Sequence, residues 1–412
     1  MQARQPDEPD LNEVADFIKT EKLRYQRLSI AGESTEGHDR SYLNDHVFGK
    51  DFTGLTLLDV GSYLGYFCLE ALERGAAAAT GIEPDAASVR QANELARFKS
   101  LRPEYICDDF ERYDFSGRTF DVVICLNVLH HMYDSVHSLR RMMTLARRRL
   151  VVEFAVPTLK DVLTGKANVL ALASRFSPSI SLGSPHRLVD VASRTFLFSK
   201  QSMQVLFNKH TSLFEPIQVR RSPFKGRLIV VANKRHIRHL VVVAGPTSSG
   251  KSSFIRRLQA DAALREKFGL EGNPWLLDDA HLAALPTGTI DRLLLHYDLL
   301  RPYRRSIRTY ERDPALSILQ AAERITILTI VSAQSRLQKQ LAESELSGPQ
   351  WRVSARHRDI HEHYSDRRFM VGWYESWMSF VARNARNATH FVAHNEGEAF
   401  VRKPPQEWAN LL

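Results

Sequence analysis

Two glycine-bearing loops in this 412-residue chain have the residue types and spacing to hold two different ligands. The first lies in LLDVGSYLGYF, residues 57–67, where an apolar run enters Asp59, Gly61, Ser62 and Gly65 and leaves into a helix-compatible segment. Glycine lets backbone amides approach a ligand closely, so such a loop suits a nucleoside. A further carboxylate, Glu83 in TGIEPD, closes the next apolar run about twenty residues on, where it can accept both hydroxyls of a ribose.

The second loop lies in VVVAGPTSSGKSSF, residues 241–254. Gly245, Pro246, Thr247, Ser248, Ser249, Gly250, Lys251 and Ser252 satisfy G-x-x-x-x-G-K-[ST], and Ser253 follows. An apolar strand before the loop and a helix-compatible segment after it supply the context this motif requires. Amides of the loop and of the helix N-terminus cradle the phosphates of ATP or GTP, Lys251 reaches the β and γ positions, and Ser252 ligates Mg2+. Asp298, in the apolar stretch RLLLHYDLLRP, is the second expected magnesium ligand. Asp278 and Asp279, in PWLLDDAHL, are candidate bases, and with Lys251 they make up the catalytic set expected here.

Both loops need a sheet to hold them. From Leu55 onward, apolar runs of strand length alternate with longer helix-compatible segments, a rhythm that predicts a mostly parallel, doubly wound α/β sheet. Residues 157–200 break the rhythm with small, polar and proline residues, as a lid or substrate-recognition insertion does. FEPIQVRR and GRLIVVANK then read as an antiparallel pair closing the sheet. A basic stretch, 233–239, reads as a linker, and a second α/β pattern runs over 240–412, with THFVAHNEGE as its last strand and loop. Residues 1–34 read as a polar tail with one helical stretch capping the first domain.

Across 35–232 the chain resembles the class I S-adenosylmethionine-dependent methyltransferases, on DVGSYLG (59–65), GIEPD (81–85), CDDF (107–110) and FDVVICLNVLHHMYD (120–134). The resemblance implies a seven-stranded Rossmann-like sheet. It also implies that Asp59, Gly61 and Gly65 line the methionine end of the cofactor, that Glu83 binds its ribose, that Asp108 or Asp109 reaches the adenine amine, and that Asn127 lies under the sulfonium. Tyr63 stands where the family often has a third glycine. His131, just past the fourth strand, is the candidate general base, with His130 read as a packed or capping residue. Arg40 is a candidate for the cofactor carboxylate or an anionic substrate, or else a surface residue. The order of motifs in 240–412 resembles the small-molecule P-loop kinases, in which a parallel sheet carries helices on both faces and an acid after the second strand acts as base.

Charge is unevenly placed. Residues 1–130 carry a net charge of −9, residues 131–240 carry +14, and residues 241–412 carry +4. A basic block behind an acidic nucleotide-binding half suits an anionic acceptor. Two activities on one chain suggest a substrate that is both phosphorylated and methylated, a surface glycan or lipid-linked glycan end, with RNA as the alternative acceptor. A P-loop domain that senses nucleotide and regulates the methyltransferase is a further alternative. No apolar run reaches the roughly 18–20 residues of a membrane span. No basic-then-apolar leader opens the chain, so a cytoplasmic protein is expected, peripheral at the inner membrane face if its acceptor is lipid-linked. Cys68, Cys107 and Cys125 lack metal-ligand spacing and read as buried free thiols.

Overall fold

A computed structural model describes residues 11–30, 32–163, 172–173, 176–183, 195–210, 212–272, 275–278, 285–304, 309–346, 360 and 362–412. The chain divides into two compact units, one of residues 1–208 and 216–234, the other of residues 209–215 and 235–412.

The first unit is built on a seven-stranded sheet. Its strands are β1 (Thr56–Val60), β2 (Ala78–Ile82), β3 (Glu104–Ile106), β4 (Phe120–Leu126), β5 (Ala146–Ala155), β6 (Gln218–Arg221) and β7 (Arg227–Asn233), in the order β6-β7-β5-β4-β1-β2-β3. The pairs from β3 to β5 are parallel, and β7 runs antiparallel to both β5 and β6. Four of the five residues of β1 are buried, the continuous apolar pattern of a strand covered on both faces.

Connecting helices follow from sequence in the usual way. The helix α1 (Leu11–Glu21) packs Val14, Phe17 and Ile18 into the core under β1. Helix α2 (Tyr66–Glu73) starts at Gly65, and α3 (Ala86–Phe98) at Asp85, whose carboxylate accepts from the Ser88 amide at 2.9 Å. Val89, Ala92, Leu95, Ala96 and Phe98 form the buried stripe of α3. Asp134 caps α4 (Ser135–Leu145) in the same manner, through the His137 amide at 2.9 Å. Within the expected insertion, Ile180–Gly183 pairs antiparallel with Thr195–Phe198, ahead of α5 (Lys200–His210).

The second unit holds a six-stranded sheet of β8 (His236–Gly245), β9 (Leu276–Asp278), β10 (Thr289–Asp298), β11 (Ala322–Val331), β12 (Thr389–Asn395) and β13 (Phe400–Lys403). Their order is β9-β10-β8-β11-β12-β13, parallel except for the last pair. Helix α6 (Lys251–Ala260) leaves β8 through the glycine loop, and Phe254, Ile255 and Leu258 anchor it on Val241, Val243 and Leu328.

Four expectations need correction. Residues 233–239 are mostly strand rather than linker: Asn233 ends β7, residues 236–239 open β8 with Ile237 and His239 buried in alternation, and only Lys234 and Arg235, where the two units divide, lie between the strands. THFVAHNEGE is followed by another strand, β13, which pairs back on β12 because Gly397 at φ +98 turns the chain. Residues 11–34 are no tail, since Arg24–Gln26 pairs in parallel with Glu36–His38 and Leu23, Leu28 and Ile30 join the core. Finally, Cys68 and Cys125 are buried thiols, but Cys107 is exposed. Among the described residues, no helix is long and apolar enough to cross a membrane.

Candidate functional site

In the first unit β1 lies between β2 and β4, so the chain leaves it toward one side of the sheet and later returns on the other. The crevice beyond the carboxyl end of such a strand is the binding position in open α/β sheets. A cavity of about 370 Å³ opens there, lined by Tyr25, Gln26, Arg40, Asp59, Gly61, Tyr63, Phe67, Glu83, Leu126 and Val128.

The loop that floors it is tightly built. The Gly61 amide donates to the Ile82 carbonyl at 2.9 Å, tying β1 to β2. Gly65 stands at φ +80, and a Cβ there would lie 1.9 Å from the Tyr105 hydroxyl oxygen, so no larger residue fits. Tyr63 takes the left-handed region at φ 50, and its amide donates to Glu83 Oε2 at 3.1 Å.

Asp59 is buried at 2 % exposure and its Oδ2 has no hydrogen-bond partner. Burial, reinforced by the Glu83 charge and opposed by Arg40, pushes its carboxyl up to about 8. Burial likewise raises Glu83, against the lowering effect of the Asp85 and Tyr63 amides. Ser62 is buried with its hydroxyl unpartnered.

Arg40 is buried at 3 % exposure, which removes the surface alternative. Its guanidinium lies 4.9 Å from the Tyr25 ring and 5.4 Å from that of Phe224, and 3.8 Å from the fully buried Glu153. Glu153 also accepts from Tyr42 at 3.0 Å and Ser222 at 2.6 Å, and faces Arg227 at 3.7 Å. Burial beside Glu153 pushes the Tyr42 phenol up to about 12.

Of the remaining expected residues, Asn127 lies at φ 68 and donates from Nδ2 to the Tyr25 hydroxyl at 2.7 Å, while its Oδ1 is buried without a partner. Asp108 is exposed, and Asp109 accepts from the Glu111 amide at 2.9 Å. Neither aspartate, nor Asn127, Ser62 or Gly65, is among the residues lining the cavity. His131 is exposed, packed 4.1 Å from the His130 ring, and also outside the lining. Packing against His130 desolvates one face of its ring, and that desolvation, then the Arg227 charge, lowers its imidazole. His130 is buried, with Nδ1 unpartnered.

Sequence reasoning missed Tyr25, Gln26, Phe67, Leu126 and Val128 as lining residues. The Gln26 side-chain oxygen Oε1 accepts weakly from the Tyr66 amide at 3.5 Å, which brings the segment before β1 over the loop. The one sequence signal for that segment is Tyr25, an aromatic residue in an otherwise polar stretch.

Residues 57–150 match the family described as methyltransferase domain. The first unit carries a class I S-adenosylmethionine-dependent methyltransferase domain. Over 86 residues the chain is 31% identical to a tRNA U34 carboxymethyltransferase of Nautilia profundicola, a stretch covering 21% of this chain. The chain spans 29% of the length of that curated relative. Among solved structures of methyltransferases, a magnesium protoporphyrin IX methyltransferase from Synechocystis PCC 6803 with S-adenosylhomocysteine bound is similar at 20% identity and a TM-score of 0.33, over 44% of this chain and 75% of its own. The N-terminal domain of EvdMO1 with S-adenosylhomocysteine is similar at 16% identity and a TM-score of 0.42, over 56% of this chain and all of its own.

In the second unit, β8 occupies the equivalent position, between β10 and β11, and the 245–252 loop leaves its carboxyl end. Three strands fix the loop. Thr247 Oγ1 donates to Asp298 Oδ2 at 2.9 Å at the end of β10, and the Leu299 amide returns to the Gly245 carbonyl at 3.1 Å. The Ser249 carbonyl accepts from Ser332 Oγ at 3.1 Å, just past β11, and from Asn395 Nδ2 at 3.0 Å, the last residue of β12. The Tyr364 hydroxyl donates to the Thr247 carbonyl.

Lys251 is buried, with Nζ donating to the Pro246 carbonyl at 2.7 Å, so its side chain folds back over the loop. Gly250 starts α6 at φ 89, Ser252 is exposed and Ser253 half-buried at its first turn, and Ser248 stands at φ 61. Asp278 ends β9 opposite Leu295 of β10. Asp279 lies outside the described residues. No cluster of three or more His, Cys, Asp or Glu able to hold a metal occurs among the described residues. Both oxygens of the Asp298 carboxylate accept hydrogen bonds, Oδ2 from Thr247 Oγ1 at 2.9 Å and Oδ1 from the Leu300 amide at 3.0 Å.

Proposed function

We propose that the chain is a two-site enzyme that methylates an acceptor from S-adenosylmethionine in its first unit and binds a nucleoside triphosphate with Mg2+ in its second. The observation that carries the first half is the cavity bounded by Asp59, Gly61 and Glu83 at the crevice of a sheet whose residues 57–150 match a methyltransferase family. The donor set fits the cofactor. Asp59 Oδ2, buried and unpartnered, is matched by the cofactor's ammonium, and the Glu83 carboxylate by the ribose hydroxyls. Arg40, held by Glu153, would take the methionine carboxylate.

When bound, S-adenosylmethionine supplies a methyl group on an electrophilic sulfonium. The chain's own residues would position the acceptor in line with that methyl and remove its proton. His131 is the proposed base, since its lowered imidazole is neutral and able to accept a proton at neutral pH. Asn127 and one of Asp108 and Asp109 keep their proposed places at the sulfonium and the adenine.

For the second unit we propose phosphoryl transfer, with Lys251 and Mg2+ on Ser252 and Asp298 neutralising the phosphates and Asp278 or Asp279 as base. The support is the glycine loop at the end of β8, tied by Thr247 to Asp298 on the next strand. A nucleotide sensor that regulates methylation is the competing reading.

The proposed acceptor is RNA, in a cytoplasmic setting. Residues 131–240 carry a net +14, and the partial relative is a tRNA U34 carboxymethyltransferase. The glycan end has the pairing of two activities in its favour and no further feature.

Calorimetry with S-adenosylhomocysteine tests the first half directly. Saturable binding by the wild-type chain, lost in Asp59→Ala, is expected; a wild-type chain that takes up none of it ends the methyltransferase reading. For the second half, label from γ-labelled ATP must pass to an acceptor. If ATP binds without any transfer while changing the methylation rate, the sensor reading replaces the kinase one.

A further inference from the structure

A second cavity of about 370 Å³ opens along the same sheet edge as the cofactor crevice, past the carboxyl end of β5. It is lined by Val156, Phe176, Ser199, Lys200, Gln201, Val219, Arg220, Arg221 and Leu228. Three of these carry positive charge and none is acidic. Lys200, Arg220 and Arg221 are all exposed.

Several independent features make the place suited to anions. Arg220 and Arg221 lie on the edge strand β6, in register with Ile229 and Leu228 of β7, so the sheet fixes their spacing. Arg220 is steadied by a 2.7 Å bond to Gln218 Oε1. The opposite wall is the start of α5, where Ser199 Oγ accepts from the Ser202 amide at 2.9 Å and the positive end of the helix faces the cavity.

Phe176 adds what a simple phosphate site lacks. It is 80 % exposed at the mouth of the cavity. Large exposed aromatic rings beside fixed cations are the arrangement on which single-stranded nucleic acids dock, the base stacking while the phosphates meet the charges. Arg227, at the start of β7 beside Leu228, and Arg40, which lines the cofactor crevice, both face the buried Glu153.

We propose that this cavity is the docking site for a single-stranded segment of RNA, with Lys200, Arg220 and Arg221 on its phosphates and Phe176 stacked on a base. The bound strand then runs along the carboxyl edge of the sheet toward the crevice. The assignment of the bound RNA as methyl acceptor rests on the methyltransferase reading; the binding itself does not.

The test is fluorescence anisotropy of the full chain with a fluorescein-labelled, mixed-sequence oligoribonucleotide, titrated over a range of salt. Arg220→Ala with Arg221→Ala is expected to weaken binding by about tenfold or more and to reduce the salt slope by about two, roughly one for each phosphate left without its arginine. Phe176→Ala is expected to weaken binding by about tenfold while leaving the salt slope unchanged, the mark of missing stacking rather than missing charge. Equal affinities and slopes for wild type and both variants overturn the proposal. So does displacement of the RNA by a phosphomannan with equal strength in wild type and Phe176→Ala, which would mark a general polyanion surface. Calorimetry with S-adenosylhomocysteine on the same variants keeps the two readings apart. Cofactor binding should be retained in them, and its absence from the wild type would sink the methyltransferase reading while leaving the RNA result standing.

Discussion

The backbone amide of Tyr63 donates to Glu83 Oε2 at 3.1 Å, so the residue that stands in place of a familiar glycine is tied to the carboxylate at the end of the neighbouring strand. A second amide, that of Asp85, holds Oε1 at 3.2 Å. Both carboxylate oxygens are thereby oriented before any ligand arrives, and each retains lone pairs toward the cavity. The φ of 50 at Tyr63 has a visible return in this contact.

Glu83→Gln should therefore cost more than one ligand contact. The amide nitrogen of glutamine cannot accept from Tyr63 or Asp85, so one of the two anchoring bonds becomes a donor–donor conflict. S-adenosylhomocysteine affinity, read by calorimetry, is expected to fall by at least tenfold, about 1.4 kcal/mol or more. Unchanged affinity would remove Glu83 from the ribose position.

Gly65→Ala combines two penalties. The left-handed backbone at φ +80 costs a residue with a Cβ about 1–2 kcal/mol, and the new methyl would meet the Tyr105 hydroxyl. A thermal melt should show loss of stability, and Tyr105→Phe in the same background should restore part of it by removing the obstructing oxygen. A double variant no better than Gly65→Ala alone would mean that the backbone conformation and the Tyr105 ring carbons, which would lie 2.5 and 2.9 Å from the new methyl, carry the whole effect.

The glycine loops and the strands behind them are legible in the sequence because they are local: an apolar run, a turn and a helix lie within a few residues of one another. Asp59, Gly61 and Glu83 come together because β1 and β2 are adjacent parallel strands, and that adjacency follows from the strand-helix rhythm. Tyr25 and Gln26 are not brought there by any strand-helix rhythm, and Arg40 is legible only as a cation ahead of the first strand. They reach the cavity through a three-residue strand pairing Arg24–Gln26 with Glu36–His38, too short for a periodicity to register, and through the long-range bond of Asn127 to Tyr25. The start of strand β8 is hidden because its first residues are basic; alternation places Ile237 and His239 inward while Arg238 stays in solvent.

Lys251 and Asp298 divide the work of the second loop in a way that mutation can separate. Lys251→Ala removes a buried ammonium that bonds to the Pro246 carbonyl and that, in the proposed nucleotide site, meets the phosphates. Affinity for a fluorescent ATP analogue is expected to drop by about tenfold or more, as for loss of a charge-assisted hydrogen bond. Asp298→Asn keeps an acceptor for Thr247 but removes a charged oxygen ligand, so binding without magnesium should hardly change and its enhancement by magnesium should be lost. Equal affinity in wild type and Lys251→Ala would dismiss the phosphate-cradle reading.

His130 gives the first unit a pH dependence of definite sign. Burial first, then the charges of His131 and Arg227, lowers its imidazole from 6.5 to about 3. Between those values the unfolded chain binds a proton that the folded chain refuses, so stability is present in full above about 6.5 and declines as pH falls below it. The slope is at most about 1.4 kcal/mol per pH unit from this residue, and His131, shifted the same way, steepens it. His130→Gln removes one titrating group and keeps a polar side chain at the site. Urea melts taken from about pH 7 down to about pH 5 should show a shallower acid limb in the variant than in the wild type. Parallel limbs would mean that His130 is as readily protonated in the folded chain as in the unfolded one, which its buried, unpartnered Nδ1 argues against.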